Sequence, residues 1–166
     1  GDLTRPTGDR VKESLFNIIS SYIVDADVLD LFSGTGNLGI EALSRGANKG
    51  VFVDKSRESI SVIKANLEHT RLEDKAQVFQ GTVESAISKL SNDRLKFDII
   101  FLDPPYNKGL VVETLKSIVK HDIILDDTII IAERHVEDNI PEQLGCLKLA
   151  DNRKYGETMI SFYKVQ

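Results

Sequence analysis

The stretch Asp30-Leu31-Phe32-Ser33-Gly34-Thr35-Gly36-Asn37-Leu38-Gly39 decides the reading of this chain. Ala26 to Phe32 is a short apolar run of the kind that forms a buried strand. The residues after Gly36 take a helical pattern that stops at Gly46, with Arg45 in its last turn. The stretch therefore sets G-x-G-x-x-G on a strand-to-helix turn, where glycine at 34 and 36 lets the backbone bend tightly and approach a nucleotide. An acid, Asp54, follows 20 positions after Gly34 at the end of the next strand, where a carboxylate can accept bonds from ribose hydroxyls. The plainer readings are a turn chosen for packing and a solvated strand end.

The same alternation continues outward. Before the stretch, Val11, Leu15, Ile18, Ile19 and Tyr22 recur at offsets of 4, 7, 8 and 11, on one face of an amphipathic helix. After it, strands are read at 50–53, 76–80, 97–102 and 127–133, with helices over 57–68, near 83–90 and near 110–119. The tail from Gly145 to Val165 adds two strands that form a hairpin. Strands alternating with helices at this spacing imply right-handed crossovers, and so a doubly wound α/β fold: a mostly parallel seven-stranded sheet with a C-terminal antiparallel hairpin. The chain reads as one domain, with residues 1–24 an extension and helix packing on a core of residues 25–166. Ligands of such sheets bind beyond the carboxyl ends of the strands, where the strand order reverses.

Composition removes other classes. The 166 residues are 41% hydrophobic and 28% charged, with 4 Pro and 11 Gly, which fits a chain that buries its own core rather than a disordered or fibrous one. No apolar run approaches the roughly 18 residues that cross a bilayer. The start shows no basic segment followed by an apolar one, so no signal peptide is read, and the missing initiator Met leaves upstream residues open. One cysteine, Cys146, cannot form an internal disulfide, and His69, His121 and His135 fall at no metal-ligand spacing, so a reducing cytoplasm and no metal are expected. The net charge of −5 is local. Residues 121–143 carry Asp122, Asp126, Asp127, Glu133, Glu137, Asp138 and Glu142 against Arg134 alone, which leaves the rest near neutral and able to meet a polyanion.

Two acids narrow the chemistry. Dinucleotide sites set a pyrophosphate on the helix N-terminus and need no carboxylate before the glycines. Asp30, four residues before Gly34, instead suits a cofactor with a cationic end, such as the ammonium and sulfonium of S-adenosylmethionine. The second acid closes the strand Phe97 to Leu102 in Asp103-Pro104-Pro105-Tyr106, where two prolines remove backbone donors and fix a rigid loop at the crevice. An exocyclic amine on a base is a poor nucleophile. The Asp103 carboxylate and the Pro104 carbonyl could accept its two N–H bonds, aim the lone pair at a methyl group and stabilise the charge that develops. Tyr106 would stack on the flipped base.

The sequence resembles the class I S-adenosylmethionine-dependent methyltransferases, and within them the bacterial family that methylates guanine N2 in 16S ribosomal RNA. The resemblance is carried by Arg5-Pro6-Thr7, Asp9-Arg10-Val11, Glu13, Leu15-Phe16-Asn17, Asp30 to Gly36, Leu38 to Gly46 with Glu41-Ala42-Leu43-Ser44-Arg45, and Asp103 to Tyr106. It implies a Rossmann-like fold and S-adenosylmethionine as cofactor, left as S-adenosylhomocysteine. The cofactor would be held by Asp30, Phe32, Ser33, Gly34, Thr35, Gly36, Asp54, Lys55 and Asp103. Catalysis falls to Asp103, Pro104 and Tyr106. The pair Thr82-Val83 replaces the family's usual Asn or Asp followed by Ala at the adenine, offering a backbone N–H there. Arg5, Thr7 and Arg10 would close over the methionine end or meet RNA phosphate; the plainer reading makes Thr7 or Asp9 a helix cap and leaves Arg10 solvated. The implied partner is 16S ribosomal RNA, naked or in an assembling small subunit. Rival readings keep the cofactor with adenine N6 of DNA or a protein glutamine as acceptor, make the chain a nicotinamide-binding oxidoreductase, or leave a non-catalytic RNA-binding module.

Overall fold

Five apolar runs become parallel strands in the computed structural model of this chain, which describes residues 8–106 and 109–166. In order the elements are α1 (Asp9–Ile18), α2 (Ser20–Ile23), β1 (Asp27–Leu31), α3 (Asn37–Ser44), β2 (Lys49–Asp54), α4 (Arg57–His69) and β3 (Ala76–Gln80). Then follow α5 (Val83–Asn92), β4 (Phe97–Leu102), α6 (Leu110–His121), β5 (Ile124–His135), β6 (Gln143–Leu144), β7 (Leu147–Tyr155) and β8 (Thr158–Val165). The sheet has the order β3-β2-β1-β4-β5-β8-β7-β6. β1 to β5 pair in parallel, and β8, β7 and β6 add on antiparallel.

Burial follows from this order. β1, β2 and β4 are buried along nearly their whole length, as strands covered by helices on both faces must be. Residues of one parity, among them Val28, Phe52, Phe101 and Ile131, pack with Leu15, Phe16 and Ile19 under α1, α2, α3 and α4. The other parity, including Leu29, Val53, Ile100 and Ile130, packs with Ile87, Leu115 and Ile118 under α5 and α6. Phe16 and Phe101 meet across the first layer with ring centroids 5.9 Å apart. Among the described residues no helix is long and apolar enough to cross a membrane.

Two features differ from the sequence reading. The sheet has an eighth strand, β6, whose two residues are too few to show a period; it pairs with β7 around the turn at Gly145 and Cys146. The N-terminal helix is broken at Ile19 into α1 and α2. The run Ile18-Ile19-Ser20-Ser21 is made of weak helix formers, so the ladder yields there while Leu15, Phe16, Ile19 and Ile23 all stay in the core.

Candidate active site

β1 and β4 lie side by side at the point where the strand order reverses, in register Leu31 to Leu102. The glycine turn and the Asp103 loop therefore leave the same end of the sheet on neighbouring strands, in the crevice where doubly wound folds bind ligands. The hollow lined by Tyr22, Val24, Asp25, Asp98 and Asp127 lies at the opposite end of these strands, away from both loops.

The glycine turn is held from three sides. Phe32 takes a left-handed backbone, φ 57°, which is unusual outside glycine, and Ser33 N–H then donates to Val53 O at 2.9 Å, tying the turn to the end of β2. Gly36, with φ 81°, caps α3, and its N–H closes the turn on Ser33 O at 2.9 Å. Asn66 of α4 donates to Thr35 O at 2.9 Å. Gly34, with φ 62°, is different: a Cβ placed there would meet nothing within 4 Å, so the turn presents open space on that side. Asp54 reaches back from β2, accepting from Gly34 N at 2.9 Å on one oxygen and from Ser56 N at 2.9 Å on the other.

Asp30 lies beneath the turn, 2% exposed. One of its oxygens accepts from Ser33 Oγ at 2.9 Å and from Gly39 N at 3.0 Å, so it joins turn, strand and helix. Burial, opposed by these two bonds, pushes its pKa up to about 7. The third glycine of the motif is explained by contact: a Cβ at Gly39 would lie 2.5 Å from the Phe52 ring and 3.0 Å from Asp30 Oδ2.

Asp103 follows β4 and keeps part of its surface open. Loss of water around the carboxyl, then the charge of Glu133, then that of Asp30, raise its pKa well above the usual carboxylate value. Pro104 is buried and Pro105 exposed, while half-buried Tyr106 turns toward β5 and β8. The Tyr106 ring meets His135 edge-on, centroids 5.7 Å apart, and its hydroxyl lies 3.4 Å from Thr158 Oγ1. The ring thus forms a side wall at the end of β5. Among the described residues no group of three or more His, Cys, Asp and Glu is placed to hold a metal ion.

Other expected residues fall around this centre. Thr82 caps α5, its hydroxyl accepting from Ser85 N at 3.1 Å, and Val83 opens the helix at the end of β3, on the same side of the sheet as the two loops. Lys55 is exposed beside Asp54, and Arg10 is exposed on α1. Arg5 and Thr7 lie outside the described residues. Glu41 is an anchor: it takes Lys12 at 3.3 Å and Arg45 at 2.7 Å, and with the Lys12 to Asn37 bond at 3.0 Å it ties α1 to α3. The sequence reading passed over Glu133, 9% exposed at the end of β5. Its signal was present in Ile129-Ile130-Ile131-Ala132-Glu133, an acid closing an apolar run as Asp103 does.

Fold and site together define the class, a Rossmann-like S-adenosylmethionine-dependent methyltransferase. The chain belongs to the family described as Conserved hypothetical protein 95, whose model matches residues 1–164. It is 40% identical over 164 residues to a Bacillus subtilis (strain 168) protein provisionally named rRNA methyltransferase YlbH, covering 99% of this chain and 89% of that one. It is 37% identical to Ribosomal RNA small subunit methyltransferase D of Escherichia coli (strain K12), over 96% of this chain and 79% of the other. Among solved structures, a conserved hypothetical protein of Streptococcus pyogenes superimposes with a TM-score of 0.86 at 31% identity, covering 94% of this chain and 96% of that chain. The open side of Gly34, between a buried acid and the acid ending β2, fits a cofactor that joins a nucleoside to a cationic tail.

Proposed function

We propose that this protein transfers a methyl group from S-adenosylmethionine to the exocyclic N2 amine of a guanine in 16S ribosomal RNA, in the cytoplasm, acting on naked RNA or on an assembling small subunit. The observation that carries the reading is the pairing of β1 with β4, which sets Asp103 beside the glycine turn at one end of the sheet. The names of the relatives support ribosomal RNA as the acceptor. When bound, S-adenosylmethionine supplies an electrophilic methyl: as nitrogen's lone pair bonds to carbon, the carbon–sulfur bond breaks and its electron pair stays on sulfur.

The chain's own residues bind, aim and take the proton. Ser33 to Gly36 offer backbone against the cofactor, with Phe32 setting the turn. Asp54 takes ribose hydroxyls, Lys55 lies beside it, and Thr82-Val83 offer backbone to the adenine. Asp30 sets a negative potential under the cationic tail. Asp103 and the Pro104 carbonyl accept the two N–H bonds of the amine and turn its lone pair toward the methyl. The amine must shed one proton after transfer, and the raised proton affinity of Asp103 suits it to receive that proton. Tyr106 closes the side of the base pocket, and Arg5, Thr7 and Arg10 lead toward RNA. Incubation with labelled cofactor and 16S RNA or small-subunit particles, followed by mass analysis of nucleosides, tests this. N2-methylguanosine is expected, and label in N6-methyladenine or in protein glutamine overturns it.

A further inference from the structure

The acid that ends the apolar run of β5 stands beside the acid that follows β4. Leu102 pairs with Ala132 on strands about 4.8 Å apart, so Asp103 and Glu133 are the next residues along the two chains, and alternation turns Glu133 to the layer of Ile131. Glu133 is among the few buried charged residues of the described chain, and its charge is felt at Asp103 more strongly than that of Asp30. Arg134, its neighbour in sequence, points to the other face, donating to Ser161 Oγ at 2.9 Å and Asp138 O at 2.8 Å.

We propose that Glu133 accepts the ring N1–H of the guanine whose amine Asp103 holds, and so selects guanine over other amine-bearing bases. The inference rests on the reading of Asp103 as the amine-holding group. Guanine presents N1–H and the N2 amine as one continuous row of donors. Glu133, Asp103 and the Pro104 carbonyl form a matching row of acceptors, and the wall of Tyr106 and His135 lies beside Glu133 at the end of β5. Adenine and cytosine carry a ring-nitrogen lone pair next to their amine. Against Glu133 that lone pair would face a carboxylate in a site with little water to screen it.

The test uses RNA with 2-aminopurine at the methylated position, which keeps the 2-amine but has a lone pair at N1. For the wild type, kcat/KM for 2-aminopurine should fall at least about 100-fold below that for guanine. Glu133→Gln, whose amide can donate or accept, should lose about 100-fold on guanine and narrow the guanine to 2-aminopurine ratio to below about 10-fold. Affinity for S-adenosylhomocysteine by calorimetry should stay within about 2-fold, as for a residue that touches only the base. The proposal is overturned if wild type accepts both bases equally, if Glu133→Gln leaves the ratio unchanged, or if cofactor affinity falls together with equal losses on both RNAs. Failure of the wild type to methylate any guanine amine would instead refute the underlying reading, and that is visible before a variant is made.

Discussion

Asp103 and Asp30 are both desolvated acids, yet their replacement has different consequences. Asp103→Ala removes acceptor and charge from the reacting nitrogen, so kcat is expected to fall about 10²–10³-fold. Affinity for S-adenosylhomocysteine, measured by calorimetry, should change little; near-normal turnover would remove Asp103 from the chemistry. Asp30 acts on stability. Unfolded, it titrates near its ordinary 3.8; folded, near 7. Between those values the folded chain holds a proton that the unfolded chain has released, so stability falls as pH rises through the window. The contribution is present in full below about pH 4 and is gone above about pH 7. Asp30→Asn keeps an acceptor for Ser33 and Gly39 without the titration. Melting temperatures of variant and wild type should therefore diverge in the variant's favour from pH 4 to 8, and parallel curves would show that Asp30 ionises normally. Asp30 was legible because the glycine turn follows it four residues on, and Asp103 because it closes an apolar run next to proline. Glu133 has the same apolar prelude but no such punctuation after it, so only the strand register reveals its neighbour.

At the scale of the element, the glycines of the β1–α3 turn separate into two kinds. Gly39→Ala drives a methyl into Phe52 and Asp30, an overpacking expected to cost about 1–3 kcal/mol and, at about 2–4 °C per kcal/mol, to show in a thermal melt. Gly34→Ala meets no atom, so its stability cost is about 1–2 kcal/mol from the left-handed backbone alone, while the methyl intrudes where the cofactor approaches. Calorimetry should show Gly34→Ala weakening S-adenosylhomocysteine the more. If Gly39→Ala melts as wild type does, Phe52 has yielded and the packing argument fails. The element pattern was readable because the runs at 50–53, 99–102 and 129–132 are apolar on both faces, as covered strands must be. The ends were less so: β5 starts at Ile124, which pairs with Phe97 of β4, and runs on to His135, which pairs with Thr158 of β8 beyond the apolar stretch. The break at Ile19 hid because the helical face continues across it.

Across the whole molecule, one sheet carries both loops of the site, on the paired strands β1 and β4. A single thermal transition is expected, raised by about 2.7 kcal/mol when S-adenosylhomocysteine is present at about 100 times its Kd. Two resolved transitions in scanning calorimetry would show that the β6–β8 edge unfolds on its own. The position of β1 has a further result for biosynthesis. It needs β2 on one side and β4 on the other, and β4 leaves the ribosome only about 70 residues after β1, some 4–14 s later at ordinary elongation rates of about 5–20 residues per second. Throughout that interval the nascent chain displays an oily strand with an unzipped border, which invites clumping. Codon changes that stall translation between Asn92 and Phe97 should therefore lower the soluble yield of a protein whose finished form is unaltered.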